Sequence, residues 1–215
     1  MEFFAQFIDI VLHLDKHLAV LIQQYGTWIY LILFLIIYCE TGLVVTPFLP
    51  GDSLLFVAGT MAAVGAMDVH VLFALLVLAA FSGDNTNYWI GHFVGPRVFK
   101  RARSRLLNPA HLQRTQRFYE KHGGKTIILA RFMPIVRTFA PFVAGIGRMR
   151  YTHFMMYSFG GSVLWIAFFI YGGFYFGNIP FVKNNLTAFI LGVILISILP
   201  AIIAFLREKF GTAKA

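Results

Sequence analysis

Charged residues sit where a membrane-soluble chain can least tolerate them. Glu40 and Asp52 fall in one proline- and glycine-broken apolar segment, near 40–52, and Arg131 and Arg137 in a second, near 131–145. Insertion scales put a mid-membrane charge at roughly 2.5–3.5 kcal/mol, so these four could cost on the order of 10 kcal/mol, as much as a whole protein's stability. Two kinds of chemistry offset such a cost. In the structural one, each arginine pairs with a carboxylate across the two segments and Asp52 caps a helix. In the functional one, the arginines hold a phosphate headgroup through bidentate contacts, aided by helix ends at the breaks. The carboxylates then titrate: desolvation favours their neutral form, a nearby arginine favours the charged one, and protonation releases or admits the anion.

A third constellation is Gly83-Asp84-Asn85-Thr86-Asn87-Tyr88-Trp89-Ile90-Gly91. On a helix Asp84, Tyr88, Gly91 and Gly95 share one face, a small and polar stripe within an apolar span. It can line a cavity or serve as polar glue between helices.

The elements that position these residues follow from composition. Of the 215 residues 59% are apolar and 13% charged, with mean hydropathy +0.74, which excludes an ordinary soluble domain. Stretches without Asp, Glu, Lys or Arg run over Leu18–Cys39, Tyr151–Val182 and Asn184–Leu206. Each reaches the 20 or so residues a spanning helix needs. A fourth, from Val69, continues past Asp84 to Pro96. From Thr27 a helix is expected to about Tyr38. Pro47, Pro50 and Gly51 then break it, and Asp52 or Ser53 caps a new helix running to about Met67. Such a break at membrane depth is tolerated only inside protein or beside a water-filled cavity, so a re-entrant hairpin is the economical picture.

The second break, with Pro134, Pro141 and Gly145, repeats the first. Pro47-Phe48-Leu49-Pro50-Gly51 lies on Pro141-Phe142-Val143-Ala144-Gly145 at an offset of 94 residues. Paired interrupted segments in two halves point to a transporter binding site, often with the halves inverted. Charge supports inversion. Residues 1–96 hold one basic residue, Lys16, against seven acids, and nine of the other seventeen basic residues lie between Arg97 and Lys125. The positive-inside rule makes that loop cytoplasmic, so the first hairpin opens to the periplasm and the second to the cytoplasm. The expected fold is therefore all-α and integral to the membrane. It has inverted repeats (about 7–96 and 109–206), two opposed re-entrant hairpins, about three full spans and amphipathic interfacial helices. A basic loop, 97–125, joins the halves, and a short cytoplasmic tail, 207–215, follows in this single membrane domain. Residues up to Tyr25 read as an interfacial helix, not a signal peptide.

Other chemistry finds little support. Cys39 is the one cysteine, and His13 and His17, four apart, lack the acidic shell of a metal site, so no metal or cofactor is expected. The basic residues suit anionic lipid and topology better than nucleic acid. A lipid phosphatase would need a nucleophile and base at depth, yet neither hairpin holds a histidine, and Gly160-Gly161-Ser162 lacks the nucleophile elbow's second glycine.

Glu40-x6-Pro47-x-x-Pro50-Gly51-Asp52, then Gly83-Asp84-x3-Tyr88-x-x-Gly91, then Arg131-Phe132 with Pro134, Arg137 and Gly145 resembles the DedA family of bacterial membrane proteins. That family shares a superfamily with the eukaryotic VTT-domain lipid scramblases. The resemblance spans about 7–206. It implies opposed re-entrant hairpins, lipid movement across the inner membrane, and dependence on the proton motive force. Its implied substrates are undecaprenyl phosphate or anionic phospholipid. The family's essential acids fall on Glu40 and Asp52, its essential arginines on Arg131 and Arg137. The expected function is a proton-coupled lipid transporter or flippase, with membrane lipids and protons as partners. A lipid phosphatase and a non-transporting scaffold are the alternatives, and nothing in the sequence specifies an oligomeric state.

Overall fold

The computed structural model describes residues 14–43, 51–101, 125–131 and 134–179. Among these the protein is entirely helical. The helices are α1 (Leu14–Tyr25), a 3-10 turn (Gly26–Trp28), α2 (Ile29–Gly42), α3 (Gly51–Ala63), α4 (Val69–Arg101), α5 (Lys125–Ala130), α6 (Pro134–Ile146) and α7 (Tyr151–Gly177). Three stretches are long and apolar enough to cross a membrane: Val20–Gly42, Val69–Val94 and Tyr151–Gly177. The latter two agree with the expected spans over 69–95 and 153–176. The expected span at 185–206, the part of the expected interfacial helix before Leu14, Pro47 and Pro50 of the expected first break, and most of the basic loop lie outside the described residues.

Two expectations need correction. The first helix does not stop near Tyr38; it continues to Gly42, so Glu40 is a helical residue before the break and not part of it. Together with α1 and the turn at Gly26, held at φ +50, this arm is span-length. Nor does the second segment break at Pro141 or Gly145. α6 runs through both to Ile146, and the interruption falls earlier, at the turn beginning with Arg131. Pro134 is the first residue of α6, where a missing N–H is harmless and the fixed φ favours helix. Pro141 lies within α6, where a neighbouring side chain serves the backbone three residues before it: Asn87 Nδ2 donates to the Thr138 carbonyl at 2.7 Å.

The chain divides into two compact units. One comprises 1–34, 48–76 and 166–215, the other 35–47 and 77–165, so each draws on both halves of the sequence. In the first, α1 packs on α3, and α3 meets the later part of α7 without intervening side chains. A Cβ at Gly59 would strike the Ile170 carbonyl, and one at Gly173 would strike that of Phe56. Asp68 caps α4: its Oδ1 accepts the N–H of His70 at 2.8 Å and of Val71 at 2.9 Å.

In the second unit α5 and α6 form a helical hairpin beside α4 and the first part of α7. Glycine sets the spacing here too, since a Cβ at Gly91 would meet the Phe142 carbonyl and one at Gly145 the Tyr88 carbonyl. α6 ends in a Schellman motif, with Met149 N–H on the Ala144 carbonyl at 3.0 Å and Arg148 N–H on Gly145 at 3.1 Å. Arg148 occupies the left-handed position, φ 50, where glycine is usual. α3 ends in the same motif with Gly65 in that place, at φ 82.

Candidate functional site

The second unit gathers most of the charged residues singled out by the sequence. α2 carries Glu40 in its last turn, α4 carries Asp84 at mid-length, the turn after α5 carries Arg131, and α6 carries Arg137 in its first turns. All four are buried.

They form two ion pairs. Arg137 Nη2 donates to Glu40 Oε1, joining α6 to the end of α2. Arg131 Nη1 donates to Asp84 Oδ2 at 2.5 Å. The same Asp84 oxygen accepts the Ser158 hydroxyl at 2.6 Å, and Arg131 Nη2 donates to Ser162 Oγ at 2.5 Å. Asp84, Arg131, Ser158 and Ser162 thus form a closed polar ring inside apolar helices. Such rings are stable in low dielectric only when their members are largely paired. Arg131 Nε remains buried with no hydrogen-bond partner among the described residues. One donor of this buried cation is therefore not taken up by the described residues.

Asn87 ties the two broken segments together. It is wholly buried, and its Nδ2 donates to the Thr41 carbonyl at 3.0 Å and the Thr138 carbonyl at 2.7 Å. Thr41 lies in the last turn of α2, whose carbonyls lack helical donors. Thr138 lies in α6 three residues before Pro141. The two carbonyls fix which end of the amide faces them, and Asn87 Oδ1 is left buried without a partner among the described residues. Both carbonyls belong to residues adjacent to the Glu40–Arg137 pair.

Trp165 underlies both pairs. The guanidinium carbon of Arg137 is 4.7 Å from its ring centroid and that of Arg131 is 5.6 Å away. Both are within range of cation–π attraction.

The remaining predicted residues are placed differently. Asp52 belongs to the other unit, buried in the first turn of α3. A carboxylate there complements the helix dipole. Gly51 begins that helix. Tyr88 shares the Asp84 face, as expected, but not its ring. Its hydroxyl donates to the Met149 carbonyl at 2.5 Å, and its ring stacks on Phe154 at 4.5 Å. It anchors the capped end of α6. Asn87, Ser158, Ser162 and Trp165 were not anticipated as site residues. The latter three follow helical spacing in α7, and a polar pair one turn apart in an apolar span was the signal that could have found them.

Chemically, the arrangement holds two cations, each against an anion that a proton can neutralise and a phosphate oxygen can replace. Among the described residues no cluster of His, Cys, Asp and Glu could hold a metal ion.

Comparison with known proteins fits this picture of a helical membrane protein. The family model for the VTT domain matches residues 49–175. Protein DedA of Escherichia coli K12 is 54% identical over 217 aligned residues, covering 100% of this chain and 99% of that protein. An uncharacterised membrane protein of Mycobacterium leprae is 43% identical, over 84% of this chain and 82% of its own length. The inner membrane protein YqjA of E. coli K12 is 34% identical, over 71% and 69%. No solved structure matches the chain. A domain match over more than half the chain and end-to-end identity with one relative place this protein in the DedA family of VTT-domain membrane proteins.

Proposed function

We propose that this protein carries anionic lipid phosphate, such as undecaprenyl phosphate or an anionic phospholipid, across the bacterial inner membrane, driven by protons. The observation that carries the reading is a pair of buried arginines, each held by a carboxylate instead of being left to water. A carboxylate and a phosphate both offer a guanidinium a charged oxygen acceptor, and each arginine here meets its carboxylate through one oxygen, so a phosphate oxygen can take that place. Protonating Glu40 or Asp84 cancels half of a pair and frees its arginine; phosphate then supplies the missing charge. Deprotonation on the other side of the membrane reverses the exchange and expels the lipid.

The sequence assigned titration to Glu40 and Asp52. In this mechanism Glu40 and Asp84 are the acids that release the arginines, and Asp52 acts at the start of α3. The unpartnered Arg131 Nε supports the reading, because the guanidinium keeps donor capacity beyond its protein partners. Opposed re-entrant hairpins, the first open to the periplasm and the second to the cytoplasm, would let lipid reach the arginines from either face.

Reconstitution into liposomes tests it. A pH gradient should drive headgroup translocation, and Arg131→Ala and Arg137→Ala should each slow it tenfold or more, by order of magnitude for a lost charge-assisted contact. Translocation by both variants at the wild-type rate would sink the phosphate assignment.

A further inference from the structure

One indole serves both cations. Trp165 is buried at 1% exposure, and the two guanidinium groups lie over its ring. The other partners of these arginines are conditional: a carboxylate can take up a proton, and a phosphate can leave. The ring's negative face changes with neither, so its attraction for a nearby cation persists in every protonation and ligand state. We propose that Trp165 is a positioning residue that keeps Arg131 and Arg137 together as a phosphate-receiving pair while Glu40 and Asp84 let go. The inference rests on the phosphate reading above.

Two further contacts support it. The Arg131 stem passes Gly161, where an added Cβ would come within 3.1 Å of its Cδ, so α7 leaves room for the arginine to lie flat along the helix toward the indole. Ser162, three residues before Trp165, accepts from Arg131 Nη2 and so fixes the plane of the guanidinium from the same helix. α7 thus presents a polar, non-titrating seat for Arg131 in the turn that carries Trp165.

The test separates ring charge from ring shape. With Trp28 and Trp89 replaced by phenylalanine, Trp165 is the one tryptophan left of three. Tryptophans bearing successively more ring fluorines then keep its bulk while draining its negative face. In zwitterionic-lipid vesicles, the substrate is hexadecyl phosphate, with hexadecylphosphocholine as the comparison lacking an exposed dianionic phosphate. The KM for hexadecyl phosphate should rise stepwise along the series, reaching roughly fivefold or more, while the Trp165→Phe variant falls partway. A flat KM overturns the proposal, even where Trp165→Leu abolishes transport, because that loss would then be one of packing. Arg137→Gln distinguishes the two readings. If it impairs transport while the fluorine series stays flat, phosphate binding by the arginines stands and the positioning role falls. If Arg137→Gln transports hexadecyl phosphate with an unchanged KM, or the parent handles the two lipids alike, the phosphate reading itself fails and takes this inference with it.

Discussion

The two units join helices by different means. In the first, α3 and α7 touch backbone to backbone at Gly59, Gly173 and Gly177. The second has glycine contacts of the same kind, at Gly42 against Gly83 and at Gly91 and Gly145, and adds two buried ion pairs. Lipid tails are as apolar as leucine, so helices in a membrane associate through close packing or polar contacts and not through hydrophobic burial. The first unit combines close packing with polar contacts nearer its surface, the Asp68 N–H donating to the Tyr30 hydroxyl at 2.8 Å and His70 Nδ1 lying 3.2 Å from the Tyr171 hydroxyl. In the second, the polar contacts are buried ion pairs, Arg131 with Asp84 and Arg137 with Glu40, which cost far more to desolvate than neutral hydrogen bonds and so suggest a use beyond holding helices together.

The sharpest way to break that contrast is to remove one charge. Arg137→Ala leaves Glu40 buried without its cation and should cost about 3–5 kcal/mol in unfolding free energy. Adding Glu40→Ala should restore most of the stability, read by thermal unfolding in detergent, but not transport. Transport restored along with stability would make the pair structural. Next in size, Gly59→Leu forces a side chain into the Ile170 backbone and should cost about 1–3 kcal/mol, lowering yield and melting temperature. The KM of the protein that survives should be unchanged; a shifted KM would show that the first unit takes part in binding.

A smaller effect of opposite sign is expected at Arg148. It strains the left-handed position that Gly65 fills in the matching motif, so Arg148→Gly should stabilise by about 1 kcal/mol and raise the melting temperature. Smallest is the effect of Asp68, whose carboxyl is held below its ordinary value of 3.8 chiefly by the Val71 N–H, with the His70 N–H and the His70 side chain adding to it and desolvation opposing. A depressed carboxylate contributes stability above its unfolded value and loses it as pH falls through the folded one. Melting temperature should therefore drop less between about pH 6 and pH 3 in Asp68→Asn than in wild type.

Much of this was legible in the sequence, for reasons that also explain the rest. Burial cost alone singles out Glu40, Arg131 and Arg137, because a charge in an apolar run needs a partner whatever the fold. Which partner it finds depends on helix rotation and crossing. Glu40 and Arg137 did pair across the two segments, whereas Arg131 found Asp84 of the third constellation. The long spans from Val69 and Tyr151 were readable because length and apolarity determine them. The second break was misplaced because Pro134 and Pro141 carry the same local signal, and only tertiary surroundings decide which of them starts a helix and which lies within one. Asn87 went unmarked for a related reason: its role is to reach two carbonyls in segments distant in sequence.

Pro141 has one more consequence. A proline has no N–H to give the carbonyl four residues back, and in α6 that carbonyl is Arg137's. The helix thus forgoes one i→i+4 backbone bond at the residue whose guanidinium sits on Glu40. On the proposed mechanism, tilting the end of α6 and parting that ion pair would be a single hinge motion, and protonating Glu40 would loosen the helix that carries Arg137.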